Sequence, residues 1–246
     1  MSKPNGFVFY KGPSMLDGKP IIAILTGLQA GSANDKTGKM LQTWILREDV
    51  NPIAAVNSGD DVSICGDCKH RGIVIDGRNK GRSCYVRLDT APNNIWKTYH
   101  RGRYPHVTMS VMLDLLEGRK VRGGSYGDPA AVPYSIWGVM GELLKTAYTH
   151  QWRTFPELAA FCMASVDDET ERAQAKLLGF RTFRVRGKDE PIADYEVNCP
   201  MSAEMGYKAQ CFDCMACGGN NAKAKADITI IVHANKDKMF DNARAL

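Results

Sequence analysis

The chain has 246 residues, 44% hydrophobic and 24% charged, with a formal charge of +5 and eight cysteines. That balance excludes general disorder and allows one continuous α/β core with a small appended module. No window reaches the roughly 18 apolar residues of a membrane span, and the start, MSKPNGFVFYKG, lacks the apolar run of a secretory signal, so a cytoplasmic protein without a membrane partner is expected.

Taken in chain order, Phe7 to Tyr10, Ile21 to Thr26 and Met40 to Leu46, separated by Gly, Asn, Asp and Pro signals, predict an N-terminal antiparallel sheet within residues 1–60. The turn-rich stretch from Ser32 to Gly38 predicts an exposed loop. Asn51 to Asn57 predicts a helical turn, and Asp61 to Ile64 a strand running into the first cysteines. Between Val107 and Glu117 the apolar residues fall on one face of a helix.

From Val121 onward short strands and helices alternate. The strands are Val121 to Tyr126, Tyr148 to Trp152, Met163 to Val166, Arg181 to Arg186, Tyr195 to Cys199 and Ile228 to Val232. The helices between them are Tyr134 to Thr146, Phe155 to Phe161 and Glu169 to Leu178. This alternation predicts an α/β fold with a partial parallel β/α barrel-like core over residues 61–198, followed by a C-terminal cysteine module and last strand over 199–246.

In such folds the carboxyl ends of the strands form the active surface. Here those ends carry Ser125, Tyr126 and Asp128, then Thr149, His150 and Gln151, then Ser165 and Asp167, and finally Cys199 and His233. Asp167 and Thr154 read as helix caps. Two histidines placed after strands are not explained by capping, which makes His150 and His233 candidates to face a site.

In a reducing compartment the cysteines point to metal ligation rather than to disulfides. Cys211, Cys214 and Cys217 follow one another at two-residue gaps, a ferredoxin-like spacing that gathers three thiolates, and Cys199 can return as the fourth. Zinc also accepts four sulfurs, so cluster and zinc both remain open. Cys65 and Cys68 form a second chelating pair, which Cys84 joins after a loop rich in Gly, Asn and Arg. With zinc, His70 or His100 would complete that site. With a four-iron cluster, one iron stays open to a substrate or cofactor. Cys162, between Phe161 and Met163, reads as a packed core thiol.

Basic residues interleaved with aromatics follow the first cysteines: Lys69, Arg71, Arg78, Lys80, Arg82 and Arg87, then Trp96, Lys97, Tyr99, His100, Arg101, Arg103 and Tyr104. Such a patch suits a nucleotide-sized anion or a nucleic acid, and also suits a solvated loop.

Longer strings carry a resemblance: C-G-D-C with C-Y-V, G-S-Y-G-D-P-A, Y-T-H-Q-W, M-A-S-V-D, F-R-V, C-P-x-S-x-E and C-x2-C-x2-C-G. Over most of the chain they resemble a group of proteins encoded by bacteriophages and mobile elements, which implies an infected bacterial cytoplasm and brings no activity to transfer. That group is distantly similar to phage proteins regarded as radical-S-adenosylmethionine-like barrels, by architecture and cysteine placement and without their C-x3-C-x2-C motif. The resemblance implies that Cys65, Cys68 and Cys84 hold an open 4Fe-4S cluster that binds S-adenosylmethionine. It also implies that Ser125, Tyr126, Asp128, His150 and Gln151 line the barrel mouth.

The leading expectation is an iron-sulfur enzyme acting on a small anionic or nucleotide substrate, with Asp128 and His150 handling protons and Tyr126 passing a proton or an electron. Ser125, Gln151 and Ser165 are the cofactor-binding candidates. The rival is a zinc-stabilised nucleic-acid-binding protein without catalysis.

Overall fold

The computed structural model describes residues 3–31, 34–232 and 237–244. His233, a site candidate, and Ser32 of the expected loop lie outside the described residues.

The isoleucine-rich run Ile21 to Leu25 is buried throughout, as a strand covered on both faces must be. It forms β2 (Pro20–Thr26), which pairs antiparallel with β1 (Gly6–Pro13) on one side and with β3 (Leu41–Arg47) on the other. The N-terminal antiparallel sheet is therefore as expected. Beyond β3 the pairing changes to parallel: β6 (Val121–Tyr126) lies against β3, and β7 (Leu144–Thr146) against β6.

A second sheet is parallel throughout. Its strand order is β11 (Glu196–Asn198), β12 (Asp227–Ile231), β10 (Thr182–Arg186), β9 (Met163–Val166) and β8 (Tyr148–Thr149). β7 and β8 are separated by Ala147 alone, so one stretch of chain passes from the first sheet into the second. The architecture is mixed α/β, with two five-stranded sheets that meet at this residue.

Eight α-helices flank the strands among the described residues. The first is α1 (Pro52–Ser58), which starts where Asn51 accepts hydrogen bonds from the Ile53 and Ala54 amides and ends at left-handed Gly59. Next are α2 (Val62–Cys65), α3 (Ala91–His100) and α4 (Met109–Leu116). The last four are α5 (Tyr134–Met140), α6 (Glu169–Leu177), α7 (Cys211–Cys214) and α8 (Asp237–Arg244). A small hairpin of β4 (Ile73–Ile75) and β5 (Arg78–Lys80) turns at Asp76 and Gly77, both with positive φ, the Asp-Gly signature of such a turn.

Some expectations are corrected. The segment from Asp61 to Ile64 is not a strand. The Asp61 carbonyl accepts from the Ile64 and Cys65 amides and opens α2, so tertiary anchoring of Asp61 prevails over the β-branched propensity of Val62 and Ile64. Tyr134 to Thr146 is not one helix: it stops at Gly141, whose φ is +35°, and Leu144 to Thr146 instead pair with β6. Phe155 to Phe161 forms only a 3-10 turn, Pro156–Ala160. Cys162 is fully buried in the main core, as expected.

Candidate functional site

The loop that carries the first cysteines is folded around buried Asp61 and Arg71. The Arg71 guanidinium donates to the Asp61 carboxylate at 2.7 Å and to the carbonyls of Gly59 and Gly66 at 2.8 and 2.9 Å. Gly66 has φ +59°, and a Cβ there would stand 2.5 Å from the Gln151 amide, so only glycine lets Gln151 reach in and donate to the Cys65 carbonyl at 3.1 Å. The Cys84 amide donates to the His70 carbonyl at 3.0 Å, which returns the long loop to the chelating pair.

The three thiols lie close enough to act on one another. Burial pushes Cys65 well above the ordinary thiol range, and the charges of Asp61, Cys68 and Cys84 add to it. Cys68 is pushed up to about 12, again mainly by burial. Buried thiols of this kind stay protonated unless a cation binds, and a metal inverts that balance by taking the thiolate.

Around them stand the carboxyl ends of β6, β8 and β9. The Asp128 amide donates to the Ile64 carbonyl at 2.6 Å, tying the end of β6 to α2. Its buried carboxylate accepts from the Ala130 amide at 3.0 Å, the Thr149 hydroxyl at 2.7 Å and the His150 amide at 2.7 Å. Burial raises the Asp128 carboxyl, and the nearby His150 charge works against that rise. The His150 side chain is one-third exposed, with Nδ1 4.0 Å from Asp128, and is the accessible member of the pair. Tyr126 is buried, and its hydroxyl has no partner among the described residues. Burial, then Cys65, Asp61 and Cys84, push it well above the ordinary phenol range.

His70 faces the same place, with its ring 5.7 Å from that of His150 and stacked on Phe240 at 5.4 Å. Its Nδ1 meets the Ser83 hydroxyl at 2.7 Å and its Nε2 the Asp167 carboxylate at 2.8 Å. Both ring nitrogens are thus occupied, and His70 has none left for a metal. Asp167 is not a helix cap. That part belongs to Asp168, which accepts from the Glu171 amide at 2.8 Å, while Asp167 holds His70 and receives Lys69 at 3.6 Å. The pairing of Ser83, His70 and Asp167 was not expected. The doublet of aspartates before α6 carried its signal, because one helix uses one cap residue.

The remaining candidates are placed otherwise. Ser125 donates to the Gln42 side chain at 2.6 Å, and the carbonyl of Ser165 accepts from the Trp152 indole at 3.2 Å. His100 meets the Glu48 carbonyl at 2.9 Å. Within the basic aromatic stretch, Trp96 and Tyr99 pack on the core, donating to the Arg47 carbonyl at 3.0 Å and to Glu48 at 3.1 Å.

The second cysteine group is held by backbone. The Cys199 amide donates to the Thr229 carbonyl at 2.8 Å and the Cys211 amide to the Lys36 carbonyl at 2.8 Å. Left-handed Met215 (φ +51°) ends α7 and turns the chain toward Cys217, which bridges to Thr146 and accepts from the Ala147 amide at 3.0 Å. Arg181 grips this turn through the carbonyls of Ala216, Gly219 and Ala226. Burial pushes Cys217 up to about 12, countered by a hydrogen bond from Tyr148 and reinforced by Cys199, Cys211 and Cys214.

Among the described residues, no group of three or more His, Cys, Asp or Glu side chains converges tightly enough to hold a single metal ion, and no helix is long and apolar enough to cross a membrane. Comparison with protein families, with curated proteins and with solved structures gives no match.

Proposed function

We propose that the chain is an iron-sulfur enzyme of the cytoplasm of a phage-infected bacterium, in which Cys65, Cys68 and Cys84 hold a 4Fe-4S cluster with one iron open. On this reading it performs radical or redox chemistry on a small anionic or nucleotide substrate. The two sheets would then act together as a partial barrel with the open cluster at its mouth. The observation that carries the reading is the approach of Cys68 and Cys84 to Cys65, all three half-buried, beside Asp128, His150 and Tyr126.

The donor set fits such a group. Such a cluster takes cysteine thiolates, and Cys68 and Cys84 lie near enough to Cys65 for their charges to act on it. When bound, the cluster supplies an electron to a ligand on its open iron, S-adenosylmethionine in this proposal. The protein's own residues would orient and exchange protons. Gln151 fixes the Cys65 turn, Asp128 sets the position of His150, and His150 moves protons where solvent reaches it. Cys199, Cys211, Cys214 and Cys217 would close around a second cluster.

Iron, zinc and acid-labile sulfide, measured on protein purified without oxygen, test this. About eight irons with matching sulfide are expected. Zinc without sulfide would sink the radical reading and favour the zinc-stabilised nucleic-acid-binding alternative.

A further inference from the structure

Among the described residues, most buried and half-buried arginines have an evident partner. Arg71 pairs with Asp61, Arg172 with Asp227 at 3.1 Å, and Arg184 with Glu196 at 2.6 Å, while Arg181 is absorbed by carbonyls. Arg122 differs. It lies on β6 between Gln42 of β3 and Thr146 of β7, in the middle of a sheet. It is half-buried, and among the described residues its guanidinium reaches only the Tyr85 hydroxyl, at a long 3.5 Å; its Nε, like those of Arg71, Arg181 and Arg186, is buried with no hydrogen-bond partner. The groups that act on it most strongly through their charge are Tyr85, Tyr148 and Cys211, none of them a carboxylate.

A guanidinium does not deprotonate in a protein, so a half-buried one without a carboxylate keeps a charge that a bound anion can pair with. Its planar fork matches a carboxylate or phosphate with two parallel hydrogen bonds. The Tyr85 hydroxyl beside it supplies a further donor. Tyr85 follows Cys84 and is well exposed, so one side of the place is open to solvent. Tyr148 hydrogen-bonds Cys217 on the other side. Arg122 therefore stands between the two cysteine groups, one of which carries the proposed open cluster.

We infer that Arg122, with the hydroxyl of Tyr85, binds the carboxylate or phosphate of a small anionic substrate and so holds it beside Cys84. The inference rests on the proposed function for the identity of the reaction, and on the unpartnered guanidinium alone for the anion.

The test uses the full chain purified without oxygen, with inorganic phosphate and acetate as probes at constant ionic strength. Thermal denaturation should show a saturable stabilisation by phosphate, by acetate or by both, and which probe acts tells the two oxyanions apart. Arg122→Gln should weaken it roughly tenfold or more, Arg122→Lys less, and Tyr85→Phe, at an exposed position, measurably without loss of folding. Unchanged probe affinity in Arg122→Lys and Tyr85→Phe would overturn the inference, as would a wild type that neither probe stabilises. If the Arg122 variants lose metal while Tyr85→Phe keeps full probe affinity, Arg122 balances the charge of the second cysteine group instead, and the inference is wrong. Iron and sulfide measured on the same samples separate the two claims. A protein without iron that still binds phosphate through Arg122 refutes the cluster reading and not this one.

Discussion

The two cysteine groups are built in opposite ways. Around Cys65, Cys68 and Cys84 side-chain ties predominate, beside the backbone bond from Cys84 to His70: Arg71 to Asp61, Gln151 to the Cys65 carbonyl, His70 to Ser83 and Asp167. Around Cys199, Cys211, Cys214 and Cys217 they are backbone ties to Thr229, Lys36 and Ala147, locked by one arginine on three carbonyls. Ionisable side chains can change protonation or move without unravelling a fold, whereas backbone pairing lost at the junction of two sheets cannot be replaced locally. The three-thiol group is thus surrounded by groups suited to chemistry, and the four-thiol group by groups suited to holding structure.

Substituting one cysteine in each group breaks or sharpens that contrast, and the larger effect belongs to the second. Cys214→Ala should lower metal content and destabilise the protein by about 3 kcal/mol or more, since a closed site contributes its binding energy to folding. Urea denaturation alongside metal analysis reads both. On the proposed function, Cys84→Ala should abolish S-adenosylmethionine cleavage while shifting the denaturation midpoint much less. Equal and severe unfolding in the two variants would remove the distinction.

How far the sequence disclosed these regions follows from what each depends on. Strands β1 to β3 were readable because continuous apolar runs between turn formers admit few other structures. The cysteine spacings were readable for the same local reason. α3 was not, because its polar surface and core-facing Trp96 and Tyr99 resembled a solvent patch in the linear chain. α2 was misread because Val62 and Ile64 favour strands, and only the distant partner Arg71 fixes Asp61 in a helical turn. That no carboxylate pairs with Arg122 among the described residues could not be read at all, since any fold might have supplied one.

Acid titration probes the side-chain ties of the first group. Burial alone would raise the Asp167 carboxyl, but the hydrogen bond from His70 and the charges of His70, His150 and Lys69 hold it below the ordinary carboxylate value. A carboxyl depressed in the folded state adds stability that is complete above the unfolded value near pH 4 and is lost as pH falls through the lower folded value. Asp167→Asn should therefore flatten the fall in stability below about pH 4 and cost about 2 kcal/mol near neutrality, where His70 loses a charged partner. An unchanged acid limb in the variant would show that His70 and Asp167 are not coupled in solution.

The neighbouring aspartate supplies the smallest and most specific contrast. Asp168 touches no member of the site. It accepts the Glu171 amide and stabilises the start of α6, while Glu171 in turn accepts the Asp167 amide at 2.9 Å. Asp168→Ala should cost about 1 kcal/mol, the usual worth of a cap, and leave the His70–Asp167 hydrogen bond in place, which the His70 ring resonances would report. Adjacent residues of the same type would then differ in the size of their effect and in whether His70 responds. Only opposite side-chain directions produce that result, with one carboxylate aimed along the helix and the other into the histidines. If Asp168→Ala instead reproduced the Asp167→Asn profile, helix fraying rather than the loss of the His70 contact would account for both, and the ionisable surroundings of the three-thiol group would have to be argued from His150 and Asp128 alone.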